Sequence, residues 1–527
     1  MTMKKTTHYP LTLLVLLLLL ASCGDKTKKT TVEENTPTAT SYTYSVAIEA
    51  VTEKYLAPAL QSYASAMINE QWLLFAGRTN GNDTIGGLHN LDADYSLVSF
   101  PPKSFNPFIY TFNPKTGNQS LLNYWNMLET IRVMASGGNG ESDDIKAVCK
   151  KVGDILANYE SIFICSNPQV IQSGDYLYVI GGYGPTPGET PTAGNYITYD
   201  AIAKINVPLL QRITNRDWSL SVSEWEDLFR FGNNPTLRCT GGELKKIDDD
   251  FYLAAGHNFN NNEQVYLNSV YQFGFSEDAS TLALTATVTD TISDISPKIL
   301  ASDPKLADST SAFRRRDLPI VPSVYLDKNN NIAPNFALMG GVFKYGETLA
   351  AWNDAIYITP NGTEKYTFDT QHDQKNYNIY SCPDFAIYDS QTKELHTFLP
   401  GGIGNGKPDS HLSGFTNTLG YSKYNVSSKA SSFETISNLF PSDYFYGAEA
   451  EFFPNSNAKY LTINGKETDV IDSDSTFETA ATVHIGYIYG GIESYEVSPS
   501  TYGSGKSGAS NKVWKVIVTR NPIKGEE

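Results

Sequence analysis

The chain has 527 residues, of which 40% are hydrophobic and only 18% charged, with a formal net charge of −17 at pH 7. A surface this acidic repels phosphate backbones and excludes nucleic acid as a partner class. The 33 Tyr and 40 Gly favour many short strands over helices, and the length fits one large repeat domain with insertions as well as two or three ordinary domains.

Lys4 and Lys5 open the chain, and residues 11–21 form an apolar run broken only by Thr12. That run is too short to cross a bilayer, which takes about 20 residues, and it reads as a signal peptide. It closes on Leu20-Ala21-Ser22-Cys23, which resembles the lipobox of bacterial lipoproteins. The resemblance implies cleavage after residue 22 and a diacylglycerol on Cys23. Removing residues 1–22 takes two lysines and no acid, so −17 becomes −19. Gly24, and not Asp, follows the cysteine, which implies the outer membrane; Lys26, Lys28 and Lys29 leave the leaflet face open. Residues 23–41 are polar and read as a flexible tether.

Six short apolar runs then end in glycine, at 73–77, 177–182, 251–256, 336–341, 396–402 and 484–491. Each has a companion strand before it across a polar turn, which predicts six hairpins. Third strands are expected at 108–117, 196–200, 268–273, 353–358 and 512–519. The alternating segment 41–48 has no partner of its own and is placed as the outer strand of the sixth unit, closing a ring. A glycine-ended strand recurring along a chain is the mark of a propeller.

These runs, each followed by a polar loop and an aromatic-rich strand, resemble the kelch repeat, in which Gly-Gly ends the second strand of a four-stranded blade. Tyr380-Ser381-Cys382-Pro383, Ile387-Tyr388-Asp389 and the segment 395–403 are similar to kelch-type lipoproteins of Bacteroidota. The resemblance spans roughly residues 60–520. It implies an all-β fold: a six-bladed kelch-type β-propeller, of the galactose oxidase-like superfamily, with helical and loop insertions. The expected propeller runs over 42–522, with blades near 60–122, 165–215, 238–290, 314–370, 380–425 and 444–520. A helical insertion is expected at 123–160, where Ile145, Val148, Val152, Ile155 and Leu156 recur at helical spacing. A short helix is expected within 217–229, and a long loop at 276–312.

Residues at the entry to each first strand should cluster at one mouth of the axial channel. On this count Asn167, Arg238, Arg315, Arg316, Asp384 and Glu449 are the candidate binding residues, suited to a sugar acid or a peptide carboxylate. Sialic-acid epimerases share the fold and place carboxylates, Arg and His about the axis, which implies a sugar-modifying enzyme as an alternative. Galactose oxidase implies copper. The seven histidines, His8, His89, His257, His372, His396, His411 and His484, form no close pair, however, and period two sends His396 and His484 to opposite faces.

No C-x-x-C pair occurs among Cys149, Cys165, Cys239 and Cys382, so no zinc site is expected; they read as buried thiols, with disulfides left open. The segment opening at Asp327 has Ile332 and Leu338 where a calcium loop needs Gly and a bidentate acid, and reads as a hairpin tip. Asp83, Asp290, Asp308 and Asp474 each begin a triplet resembling the Bacteroidota O-glycosylation motif. No nucleophile–base pair stands out and no cofactor is expected. The sequence therefore reads as an envelope-anchored binding or scaffold lipoprotein for a protein partner or glycan. The alternatives are the epimerase-like enzyme and an accessory subunit of an envelope secretion or motility machine.

Overall fold

The structure is a computed structural model that describes residues 41–51, 56–80, 100–138, 140–192, 194–260, 263–345, 351–375, 377–404, 414–437, 439–497 and 507–523. Cys23, the tether up to residue 40, Asp83, His8, His89 and His411 lie outside the described residues.

The chain is mostly strand, gathered into a propeller-like ring of sheets. Four antiparallel strands recur as a unit. Ala64–Ile68, Gln71–Phe75, Phe108–Phe112 and Gln119–Asn123 form one sheet. The order Ile320–Leu326, Ile332–Met339, Ala355–Ile358, Tyr366–Asp369 forms another. Two units merge into an eight-stranded sheet through the single parallel pair Phe231↔Ala283. The last sheet mixes both ends of the chain. Tyr42–Ala50 pairs with Val513–Pro522, which pairs with Thr482–Tyr489 and then Glu451–Pro454 is reached.

The core lies between sheets. Ile247, Tyr252 and Val270 of one sheet meet Ile320, Phe336 and Ile356 of the next. Within the eight-stranded sheet Ile180 and Ile202 of one unit meet Leu253 and Phe273 of the other, and between sheets Trp72 and Leu74 meet Tyr487 and Tyr489. This is why the second strands break the alternation expected of a half-exposed sheet: both faces are covered, as Leu73, Leu74 and Phe75 at 0% exposure show. Each such side chain contributes about 1.5–3 kcal/mol by its burial.

The helical insertion is present as Tyr124–Ala135 and Asp143–Leu156, the second capped by Ser142 Oγ on the Ile145 amide. A short helix, Val222–Leu228, starts in a Ser221–Glu224 capping box. Two expectations need correction. The expected loop at 276–312 is a long hairpin, Val270–Asp278 with Ala283–Ile292, followed by Pro297–Ser302 and Pro304–Asp308. The third strand after Tyr176–Ile180 is Ala201–Asn206; Tyr196–Thr198 joins Tyr183–Pro185 and His257–Asn260 in a separate small sheet. Tyr460–Ile463 forms a hairpin with Lys466–Asp472, and Lys466–Asp472 lies parallel beside Phe385–Asp389.

Candidate functional site

Glycine sets the geometry of the channel mouth. Gly77 N–H donates to Cys165 O at 2.7 Å, Gly182 to Cys239 O at 3.0 Å and Gly256 to Arg315 O at 2.8 Å. Gly341 donates to Ile379 O, Gly402 to Tyr446 O and Gly491 to Leu60 O, each at 2.9 Å. Each bond ties a glycine to a segment distant in sequence, and the bond from Gly491 returns to Leu60 near the first described strands. The six glycines have φ between +74° and +112°. At Gly182 and Gly341 an added Cβ would stand 2.7 Å from Cys165 Sγ and 3.1 Å from Arg315 Cβ.

Two or three residues beyond each acceptor carbonyl, the chain turns inward and a second, narrower ring forms. Asn167 N donates to Ser62 O at 3.0 Å, and Asp317 N to Gly241 O at 2.7 Å. Ser381 N donates to Asp317 O and Glu449 N to Ser381 O, both at 2.9 Å. Ser62, Asn167, Asp317 and Glu449 all have φ between +47° and +57°. Side chains in the left-handed region are uncommon and cost free energy, and four in one ring mark a site at which position matters more than local comfort.

The ring side chains converge. Glu449 Oε2 accepts from Ser62 Oγ at 3.0 Å and from Asn167 Nδ2 at 3.1 Å, and Glu449 also bonds to Tyr380. Burial pushes the Glu449 carboxyl up to about 7, with Asp317 adding to the rise and Tyr380, Ser62 and Arg78 opposing it. Burial also raises Asp317, against the opposing pull of Arg316. Two guanidiniums stand by. Arg78, 4% exposed, lies 4.1 Å over the Phe100 ring, and its pKa is lowered to about 10 by burial, with Glu449 pulling the other way. Arg316 pairs with Asp317 at 3.4 Å, approaches His257 Nε2 at 3.2 Å and covers Phe343 at 4.4 Å. Burial first, then Arg316, keeps His257 neutral.

The ring residues line a cavity of about 440 Å³, and Lys245 and Asp469 line both it and a second cavity of about 460 Å³. Lys245 pairs with Glu243, and Ser65 Oγ donates to Glu451. Burial pushes Glu451 up to about 8 and Asp384 to about 7. The 460–472 hairpin lines the second cavity, where Lys466 reaches Asp248 at 3.0 Å.

The six sequence candidates separate. Asn167 and Glu449 belong to the mouth ring, Asp384 lines the cavity below it, and Arg316 flanks the ring through Asp317. Arg238 lies outside the cavity wall and pairs with Asp200 at 2.8 Å. Arg315, 0% exposed, is bound to Asp354 Oδ1 at 2.9 Å and to Gly340 O at 2.9 Å, and packs between sheets. Arg315 takes the place that Cys165 and Cys239 take in their units, facing the collar glycine. Counting from the charged residue, which stands three positions before Gly241 at Arg238 and two before Asp317 at Arg315, places both arginines in the mouth. Ser62, Asp317 and Ser381 were missed. For Ser62 the signal is spacing, since Ser62, Asn167 and Gly241 each stand fifteen residues before Gly77, Gly182 and Gly256; Asp317 and Ser381 do not share that spacing to Gly341 and Gly402.

The remaining chemistry is structural. Cys149, Cys165, Cys239 and Cys382 are free and buried, and burial raises their thiols. His396 bonds to Tyr421 Oη at 2.6 Å, while His484 Nε2 bonds to Gly486 O at 2.9 Å. Asp327 Oδ1 accepts from Asn329 and Asn331 amides within its hairpin tip. Among the described residues no three His, Cys, Asp or Glu side chains stand together so as to hold a metal ion, and no helix is long and apolar enough to cross a membrane.

No protein-family model and no curated protein matches this chain. Among solved structures it is similar to YjhT, at 11% identity and a TM-score of 0.43, over 88% of this chain and 99% of that one.

Proposed function

We propose that the protein is an envelope-anchored lipoprotein whose propeller has six kelch-type blades and whose axial mouth binds a carbohydrate. The closed circuit of glycine hydrogen bonds supports six blades. The run ending in Cys23 supports lipidation and an outer-membrane location.

One observation carries the binding reading: Ser62, Asn167, Asp317 and Glu449 are held in left-handed backbone around a cavity of about 440 Å³. Short hydroxyl, amide and carboxylate groups in a ring offer donors and acceptors in several directions, which is what a hydroxylated ring needs. A cavity of this size admits one or two sugar units and is too narrow for a folded protein partner. Calorimetry of the full chain in detergent against a glycan panel tests it. A saccharide should bind, and Asn167→Ala with Ser62→Ala should weaken it tenfold or more. Absence of binding across the panel, with capture of a protein from solubilised envelopes, would favour the accessory-subunit alternative.

The enzyme alternative rests on Glu449, a carboxyl at about 7 that bonds to Tyr380. Such a group exchanges protons readily at neutral pH. An epimerase-like activity predicts deuterium entering the bound sugar from heavy water, lost in Glu449→Gln.

A further inference from the structure

We propose that the tip of the 460–472 hairpin is a gate on the second cavity, hinged beside Thr468 and latched by Lys466 on Asp248. The gate lies apart from the mouth ring and does not depend on what the mouth binds.

The base of the hairpin is built into the core. Val470 and Ile471 are each 1% exposed. Ile471 and Asp472 pair in parallel with Ile387 and Tyr388. Asp472 N donates to Lys459 O at 2.7 Å, and Lys459 N donates to Thr476 Oγ1 at 3.0 Å. Just beyond, Ser390 Oγ donates to Asp474 Oδ2 at 2.6 Å.

Above this base the ladder breaks. Tyr460 pairs with Ile471, but the next pair is Thr462 with Glu467. Leu461 alone therefore faces Thr468, Asp469 and Val470. Thr468 Oγ1 spans the gap, donating to Leu461 O at 2.9 Å and accepting from Val470 N at 3.2 Å. An irregularity of this kind interrupts pairing and bends the strand. The extra residues give the backbone slack at the one place where the base ends and the tip begins.

The tip itself is lightly held. Asn464 and Gly465 turn at φ +51° and +78°, as an Asn-Gly hairpin turn requires. Thr462, Asn464, Lys466 and Glu467 are exposed, and Ile463 rests half-buried on the apolar cluster that includes Val324. Among the described residues, 462–467 make polar contact with other elements only through Lys466, 3.0 Å from Asp248 and 3.7 Å from Asp249. Those three side chains are 55%, 51% and 97% exposed. An ion pair this open adds little stability and is screened by salt. A wall built to stay shut needs an unbroken ladder and a buried tip, and this one has neither.

The tip closes on a real space. Ile463, Asn464, Lys466 and Glu467 line the cavity of about 460 Å³ together with Ser323. Swinging the tip away at Thr468 opens that cavity to solvent. It brings water or a solute to Lys245 and Asp469, which also line the first cavity, from a side that holds none of the mouth-ring residues.

The test is the rate at which a water-soluble thiol reagent reaches Ser323→Cys in the full chain in detergent. Ser323 is 1% exposed, and the parent, with its four described cysteines buried, gives the background. Lys466→Glu sets a carboxylate against Asp248 and Asp249 and should speed labelling about fivefold or more. Adding Asp248→Lys should return the rate to that of Ser323→Cys alone. Amide exchange needs no substitution in the cavity and covers the case of a Ser323→Cys chain that does not fold. Lys466→Glu should speed exchange at 462–467 by the same factor and leave Val470 and Ile471 unchanged, and the charge swap should restore the parent rates. Labelling or exchange that ignores Lys466→Glu, or that stays fast after the swap, overturns the gate and makes the tip a fixed wall. Exchange that rises equally at Val470 and Ile471 also overturns it, because the hairpin then moves as one piece and Thr468 is no hinge.

Discussion

Arg315 donates to Asp354 Oδ1 at 2.9 Å from a side chain with 0% exposure, and so serves as a brace between strands. Its Nε donates to Ala312 O and its Nη1 to Gly340 O and Asp354 O, so all three nitrogens are bonded inside the fold. Arg238 differs, because its pair with Asp200 is about a quarter exposed, at 27% and 26%. Arg315→Ala should lower unfolding stability by about 3–5 kcal/mol, since Asp354 loses its partner and a large buried group is removed. Arg238→Ala should cost about 1 kcal/mol or less. Denaturant titration of both variants checks the ranking, and equal losses would refute it.

Ring closure depends on the first described strand. Tyr42–Ala50 pairs along its whole length with Val513–Pro522. Tyr44 Oη bonds to Ser473 Oγ at 2.7 Å, and its ring lies 4.6 Å from that of His396 in the adjacent sheet. Deleting residues 42–50 exposes the edge of Val513–Pro522 and opens a hydrophobic seam. The expected outcome is a large fall in melting temperature with aggregation. Unchanged melting of the truncated chain would show that closure needs no help from this strand.

Glu451 makes stability fall with rising pH. Its folded pKa of about 8 lies above the ordinary 4.5 because burial favours the neutral form. Between those values the folded chain holds a proton that the unfolded chain has released. The native state binds more protons there, so unfolding free energy falls as pH rises. Each unit of separation is worth at most about 1.4 kcal/mol. Glu451→Gln keeps a neutral side chain of the same shape. It should raise the melting temperature at pH 8 relative to the parent and change little at pH 4.5. A gain of the same size at both pH values would assign the effect to packing and not to the proton.

The glycine-ended strands were legible because the constraint that produces them is local. A strand covered on both faces must be apolar throughout, and a chain turning at positive φ against the next unit needs glycine, as Gly182 does against Cys165. The strand Ala283–Ile292 has the composition of a loop, rich in Thr within a Ser-, Thr- and Asp-rich segment. Its burial nevertheless alternates, with Leu284 and Ala286 buried and Thr285 and Thr287 exposed, so periodicity carried the signal that composition hid. The 460–472 hairpin had no such signature, since it is fixed by distant partners such as Asp248. The mouth was half legible. Polarity pointed to Asn167 and Glu449, whereas Arg238 and Arg315 differ from them only in register, which depends on where each chain turns inward.

Glu449 joins Ser62, Asn167 and Tyr380 at the mouth, and its carboxyl at about 7 divides two states of that ring. Above 7 it is an anion accepting from Ser62 and Asn167. Below 7 it gains a proton and gives up acceptor capacity. A saccharide that donates a hydroxyl to the ring should therefore bind more tightly at pH 8 than at pH 6. Glu449→Gln removes the titration, so its affinity should be lower at pH 8 and flat between the two pH values. Because the carboxyl is already largely neutral in the folded chain below 7, the substitution should leave the melting temperature at pH 6 within about 2 °C. Titrating a saccharide into parent and variant at both pH values checks all of this. If the parent shows no pH dependence, Glu449 is a strut of the ring and not a group that meets the ligand. If the variant keeps the full pH dependence, the titrating group lies deeper, at Asp384 or Glu451.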